Sequence, residues 1–403
     1  MALKAPIESP ESRALRHNGS VLESTVKPKR RTRLATAGVI YALVVLAVGL
    51  AAGSRPNNLL VWVFSFLVAA LIVSGLLSGF MMMSVRALRI EPRRGRVGEP
   101  LLVRYEIANA SRVLAAYDLG ITEHGKGQNR LEVAGPAWIL HVGPRESLHG
   151  EAVFRPTRRG PVRLDEFEVS TSFPFGLLRK TLRFQQVGEV LIHPEIIPLR
   201  LDLLAKVTSA GFGGHRLSGS SGGHDDFFGV REYRPGDSIR SIAWKRLAGT
   251  GTLATVERSR SVPPRLRVLV DLRTPTDELR VAEGEDARSL EERAIVLAGS
   301  FLALADRLGY EYALSVAGLD IPPVALRKGH FHREKLMSSL AALDLDAPRA
   351  RGNGLAASDE RATVVVVHPD RTDLAVAPSD AWHFTARQLD SLRERSKRQE
   401  SEP

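Results

Sequence analysis

The stretch LATAGVIYALVVLAVGLAAG, residues 34–53, contains no charged side chain. As an α-helix it rises roughly 30 Å, the thickness of a bilayer's hydrocarbon core. A polar break follows, Ser54-Arg55-Pro56-Asn57-Asn58, whose proline and paired asparagines suit a turn. A second uncharged run then extends from Leu59 to Val85. In lipid a single apolar segment satisfies its own backbone groups only as a helix. Together the runs predict a transmembrane hairpin over 34–85. Two other readings compete with it. A secretory signal peptide has a shorter apolar core and a small-residue cleavage site. A pair of buried core helices would carry some charge along these runs, and these carry none.

Working outward, cations flank both ends of the hairpin. Lys27, Lys29, Arg30, Arg31 and Arg33 precede it, and Arg86, Arg89, Arg93, Arg94 and Arg96 follow it. The connecting loop has only Arg55. Positive charge is retained on the cytoplasmic side, so both ends are expected there, at the plasma membrane, with the soluble region facing the cytoplasm. Residues 1–33 are polar and unpatterned and are expected to be a disordered basic tail. The chain has 403 residues, enough for two or three domains, and a formal net charge of +11. Such a balance invites a membrane surface or nucleic acid as partner. The crowding of cations beside the apolar runs favours the bilayer and makes nucleic acid the weaker expectation. There is no cysteine, which excludes a disulfide framework, a cysteine nucleophile and a thiolate zinc site.

Beyond the hairpin, residues 86–199 read as short strands. Leu101–Ile107 is one, closing on Asn109 as a turn residue; Val162–Leu164, Phe167–Val169 and Val190–Ile192 continue the series. Turn signals between them predict an antiparallel β-sandwich-like domain. Residues 200–262 hold a glycine-rich connector (GFGGHRLSGSSGG, 211–223) and a charged, aromatic stretch after it. From 263 to 385 the pattern is α/β. Strands are expected at 266–270, 312–316 and 362–367, and helices at 290–308 and 334–343. The last strand is an unbroken β-branched run of the kind buried on both faces of a parallel sheet. Residues 386–403 read as a charged tail.

The most distinctive string is REYRPGDSIRSIAWK, residues 231–245. Pro235-Gly236-Asp237 signals a turn. Arg231, Arg234, Arg240, Lys245 and Arg246 could grip a carboxylate or phosphate. Alternatively Glu232 and Asp237 neutralise those cations in an internal polar network, and this is the preferred reading, extended to Trp244. The string resembles the signature of the bacterial domain-of-unknown-function fifty-eight family, REYxPGDxxRxIxW. Its matching residues include Arg231, Glu232, Tyr233, Gly236, Asp237, Arg240 and Trp244, with Lys245 beside them. Ser172–Leu178, after Arg158-Arg159-Gly160, is similar to the family's PFGL element. Ala243 departs from the family's usual polar residue before the tryptophan.

The resemblance implies a terminal segment similar to the von Willebrand factor A domain. Such domains hold a divalent cation with a DxSxS loop after the first strand. Here that loop is Asp271-Leu272-Arg273-Thr274-Pro275. Asp271 fits that pattern, but Arg273 and Pro275 replace both serines, and a hard cation needs oxygen donors. The expectation is therefore no cofactor, with Asp271 capping a strand–helix loop and Asp370 a weaker candidate. Other enzyme signals are poor. The glycine-rich run lacks the GK[ST] ending of a phosphate loop. His224-Asp225-Asp226 reads as a polar turn rather than a metal site, and His215, Ser220 and His224 merely cluster in sequence. The resemblance implies an adaptor, more a scaffold than an enzyme, working with a MoxR-type AAA+ ATPase and other von Willebrand factor A proteins. The alternatives are an enzyme centred on Arg231–Lys245, or binding to anionic lipid or nucleic acid.

Overall fold

Strand pairing organises most of the chain. The computed structural model describes residues 28–54, 57–124, 130–211, 217–261, 264–282, 284–350, 362–374 and 381–394, with side chains described outside 208–229 and 257–261. Two compact units result, Met1–His193 and Pro194–Pro403.

The first unit opens with β1 (Lys29–Leu34) and passes through Ala35 into two helices, α1 (Thr36–Ser54) and α2 (Asn58–Ser84). Both are long and apolar enough to cross a membrane. Asn57 caps α2, its side-chain oxygen accepting from the Leu59 N–H at 2.9 Å. Tyr41 of α1 donates to the Leu67 carbonyl of α2, 2.9 Å away, so the one phenol of the hairpin has a partner. Leu43, Leu46, Leu50, Leu59, Trp62 and Phe66 are exposed. Water is a poor solvent for such surface and lipid a good one.

Strands follow from the end of α2: β2 (Val85–Ile90), β3 (Arg94–Arg96), β4 (Leu101–Asn109), β5 (Ala116–His124), β6 (Leu131–Gly135), β7 (Ala137–Val142), β8 (Ser147–Pro156), β9 (Gly160–Thr171) and β10 (Leu178–His193). They form two sheets, one ordered β1-β10-β9-β5-β7 with β3 beside β10, the other β2-β4-β8-β6. Period-two alternation buries one face of each strand. In β4, Leu101, Val103, Tyr105, Ile107 and Asn109 are buried while the residues between them are not. The inward faces of both sheets share one apolar cluster, which includes Val103, Ile107, Leu119, Phe154, Phe167 and Ile192. The two sequence-read strands at 162–164 and 167–169 are one continuous strand, β9. Asn109 organises the turn after β4, accepting from Ser111 N at 3.0 Å and donating to the Leu114 carbonyl at 2.8 Å.

The expectation of a disordered tail over 1–33 needs correction at its end. Residues 29–33 belong to β1, which pairs antiparallel with Leu178–Arg183 of β10. The unpatterned charge hid a strand because its neighbour, not its own periodicity, supplies the ladder. Residues 1–27 lie outside the described ones.

The second unit contains α3 (Asp202–Gly211), β11 (Leu217–Glu232), α4 (Trp244–Thr250), β12 (Ala254–Ser261), β13 (Arg265–Asp271), α5 (Ala287–Arg307), β14 (Glu311–Ala317), α6 (His330–Ala341), β15 (Thr363–His368), β16 (Trp382–Thr385) and α7 (Leu389–Leu392). Strands β13 to β16 form a parallel sheet in the order β14-β13-β15-β16. Helix α5 places Leu290, Ala294, Leu297, Ala298, Phe301 and Ala305 in its buried face, as the 3.6-residue period predicts. They pack with Leu266, Val268 and Val270 of β13 and with Leu336 and Leu340 of α6. Leu269, Ala317 and Val366 form a small cluster of their own.

Two expectations change here. Part of the glycine-rich connector, from Leu217 on, is backbone-paired in β11 against β12, with register shifts among its glycines and serines. Residues 386–394 are not a fraying tail. Thr385 and Gln388 make a capping box, Leu389 is buried, and Leu199 bridges to Arg393. Residues 395–403 lie outside the described ones.

Candidate functional site

In a parallel sheet the strand order decides where a crevice opens. The chain leaves β13 for β14 on one side and returns to β15 on the other, so the loops after β13 and β15 diverge. Asp271 ends β13 and His368 ends β15. A crevice of about 550 Å³ lies there, lined by Asp271, Thr274, His368, Asp370, Arg371 and Asp373 among others.

Its polar groups are tied to one another. His368 Nδ1 lies 3.1 Å from Asp271 Oδ2, and His368 Nε2 lies 2.9 Å from His383 Nδ1. The two imidazoles stack with centroids 5.2 Å apart. In the tautomer that donates Nδ1–H to the carboxylate, His368 Nε2 accepts from the Nδ1–H of His383. Arg273 reaches Asp271 Oδ1 with Nε at 2.9 Å and Asp373 Oδ2 with Nη2 at 2.6 Å. Burial opposes ionisation of Asp271. The hydrogen bonds from His368 and Arg273 outweigh it and hold the carboxyl at about 2. Burial, then the neighbouring His368, pushes His383 below its ordinary value. Asp370 accepts from Arg280 N at 3.0 Å and Arg387 Nη1 at 2.9 Å.

This donor set does not fit a divalent cation. A guanidinium occupies the carboxylate where a hard cation would need oxygen. Among the described residues no group of three or more His, Asp or Glu side chains is placed to hold a metal. Asp271 instead accepts from the Arg273 N–H, 3.3 Å away, within its own loop. His368 and His383 were not singled out in the sequence. The signal was present: His368 closes the Val364–Val367 run, and ligand crevices open at the carboxyl ends of such strands.

The signature occupies the link between β11 and β12. Arg231 pairs with Thr255 across the ladder, and Glu232 with Ala254. Arg231 grips Asp237 with two bonds, Nη2 to Oδ1 at 2.8 Å and Nη1 to Oδ2 at 2.9 Å. Asp237 Oδ2 also accepts from Arg234 N at 2.9 Å and Thr255 Oγ1 at 3.1 Å. The Arg231 bonds, then the Arg234 N–H, hold its carboxyl at about 2. Tyr233 N donates to the Leu253 carbonyl at 3.0 Å. Gly236 sits at φ +108°, a conformation closed to ordinary side chains, and this is why the turn carries glycine.

The sequence reading grouped Arg231, Glu232, Asp237, Arg240 and Trp244. The structure joins Arg231 to Asp237 and leaves the side chains of Glu232, Arg240 and Trp244 exposed, with Lys245 and Arg246 exposed alongside. Ile239 is 69% and Trp244 57% exposed. His215 lies outside the described residues, as do the side chains of Ser220, His224, Asp225 and Asp226.

No curated protein matches the chain. Among solved structures, a GH20 exo-β-N-acetylglucosaminidase from Vibrio harveyi in complex with N-acetylglucosamine aligns at 7% identity and a TM-score of 0.15. The alignment covers 70% of this chain and 57% of that one, a likeness too slight to support fold or function. Residues 229–397 match the family described as "Protein of unknown function DUF58". That stretch, which contains both the signature turn and the crevice, is the part of the chain that matches the DUF58 family.

Proposed function

We propose that this protein is a membrane-anchored adaptor. In this reading α1 and α2 cross the plasma membrane, the first unit is a β-sandwich, and the second is a von Willebrand factor A-like domain facing the cytoplasm. The signature turn is the surface offered to a partner, and the family resemblance points to a MoxR-type AAA+ ATPase. One observation carries the reading: a turn fixed by Asp237 displays Ile239 and Trp244 to solvent among Arg240, Lys245 and Arg246. An exposed tryptophan and arginines are the residues that dominate protein interfaces.

The test uses the full chain in detergent with a purified MoxR-type ATPase. Wild type should retain the ATPase, and Trp244→Ala should weaken retention at least tenfold, roughly the effect of losing one interface anchor. Equal retention by both would remove the signature from the interface. Orientation is checked separately. Protease added to intact cells should spare the soluble region, and digestion from outside would place it on the other face.

A second reading rests on the crevice. Its Asp271–His368–His383 row could serve an enzyme, with His383, uncharged at neutral pH, as a base. Hydrolase activity lost in His383→Ala would favour it over the adaptor. The adaptor reading carries no metal. Magnesium should leave the melting temperature unchanged, since only a ligand of the folded state raises it.

A further inference from the structure

Helix α1 has 19 residues and α2 has 27. At 1.5 Å per residue these are about 28 and 40 Å, against a hydrocarbon core of about 30 Å. The surplus of α2 lies at its C-terminal end, where Ser74, Ser78, Met81 and Met82 are buried by protein. What buries them includes β10. Lys180 Nζ donates to the Gly75 carbonyl at 2.7 Å. The turn before β10 meets the start of α1, where Ala35 N donates to the Leu177 carbonyl at 3.0 Å. A Cβ on Gly38 would sit 2.0 Å from that same carbonyl oxygen, so the approach requires glycine. The base of the β1–β10 ladder is thus level with the start of α1 and with Gly75 of α2. If the hairpin spans the bilayer, that level is the boundary between acyl chains and headgroups.

The residues found there sort by depth. Leu34 and Phe175 are both 54% exposed beside α1. One step further from the hairpin, Arg33 lies directly opposite Arg179, and two residues on Arg31 faces Thr181. Opposed residues of an antiparallel pair share a face, and these two pairs alternate with the face that carries Lys180 toward α2. Like charges directly opposite each other destabilise a ladder unless an anion lies between them. Further along, Arg183 opposite Lys29 has its anions, Glu166 and Glu168. Among the described residues no carboxylate pairs with Arg31, Arg33 or Arg179, whose side chains are exposed.

We propose that Arg31, Arg33 and Arg179 bind the phosphate of an anionic phospholipid headgroup, with Leu34 and Phe175 against its acyl chains. The inference rests on the anchored reading above. Arginine forks suit phosphate, and each cation at an anionic surface adds about fivefold to affinity.

The full chain, purified in detergent, is titrated with phosphatidylglycerol or phosphatidylcholine, and bound lipids are counted by native mass spectrometry. Wild type should prefer phosphatidylglycerol. Arg33→Gln with Arg179→Gln should reduce that preference roughly tenfold or more, since two such cations are lost. Arg183→Gln, remote from the boundary, should leave it unchanged. Equal preference in wild type and the double variant would overturn the site. Displacement of the lipid by millimolar glycerol phosphate would also overturn it, showing a site for soluble phosphate. Carbonate extraction of wild-type membranes separates the two readings. A chain washed out of the membrane sinks the anchor, whereas a retained chain without lipid preference sinks only the headgroup site.

Discussion

Arg89 in the first unit and Arg231 in the second each hold a carboxylate at nearly the same distance, 2.9 Å to Glu123 and 2.8 Å to Asp237. Their surroundings differ. The Arg89 and Glu123 side chains are 0% and 3% exposed, those of Arg231 and Asp237 35% and 17%. Every donor of the inner pair is committed. Arg89 also donates to Glu91, to the Leu164 carbonyl and to the Gln186 carbonyl, and Tyr105 donates to Glu123 at 2.7 Å. Burial drives the Tyr105 hydroxyl far above its ordinary value. Burial also pushes Glu123 up, against the pull of Arg89 and Tyr105. The outer pair shapes a turn that water still reaches. One separation therefore serves two purposes, and burial, not distance, decides which pair the fold depends on.

The largest expected effect follows from the inner pair. Arg89→Ala leaves Glu123 buried without its cation, which costs about 3–5 kcal/mol. The first unit's melting transition should fall by roughly 6–20 °C, measured on the full chain in detergent. Replacing both partners with apolar residues of similar volume should restore much of the loss, because a buried pair is close to neutral against a well-packed apolar substitute. A single variant that melts like wild type would break the comparison at its stronger end.

A middle case sharpens it. Asp271 is buried like Glu123 and, like it, bound by two side chains, but it sits at the lip of a crevice. Its folded pKa is depressed from an ordinary 3.8 to about 2. A depressed carboxylate contributes stability that is fully present above 3.8 and is lost as pH falls toward 2. The shift corresponds to about 2 kcal/mol. Asp271→Asn should remove that share at neutral pH and flatten the second unit's acid melting curve over the same window. An unchanged acid limb would show that Arg273 and His368 are held by other groups.

These pairs also show how far the residues alone could be read. The hairpin was legible because absence of charge over a bilayer's thickness is a local property. The parallel sheet was legible in Val364–Val367 and in the period of α5. Arg89 was misread. By sequence it belonged with the cations flanking the hairpin, and the structure buries it against Glu123, 34 residues away. Such a partner is invisible without the fold. β1 was missed for the same reason, since its ladder partner lies in β10. In the signature, the turn and its glycine followed from Pro235-Gly236-Asp237. The burial of the cluster did not, because charge density in a string does not reveal which side chains face water. His368 could have been found by its place at a strand's carboxyl end, whereas His383 needed the pairing of β15 with β16.

The smallest expected effect is that of Asp237→Ala, and it is the one that most directly separates a surface turn from a structural network. Arg231 keeps access to water when its partner is removed, so no charge is stranded in a dry interior. The second unit's melting transition should therefore move by only a small fraction of the shift in Arg89→Ala. The local consequence is larger. Asp237 Oδ2 is the acceptor for the Arg234 N–H and for Thr255 Oγ1, so the variant loses the bonds that close the turn under Ile239 and Trp244. Hydrogen exchange at the Arg234 amide should accelerate while exchange in β13 stays slow. Wild type should show the same loosening in acid. Asp237 is depressed from 3.8 to about 2, so its hold on the turn is complete above 3.8 and weakens as pH falls toward 2. If Asp237→Ala instead melts as early as Arg89→Ala, the signature is an interior network after all. If exchange at Arg234 is unchanged, Asp237 does not hold the turn, and the display of Trp244 has another cause.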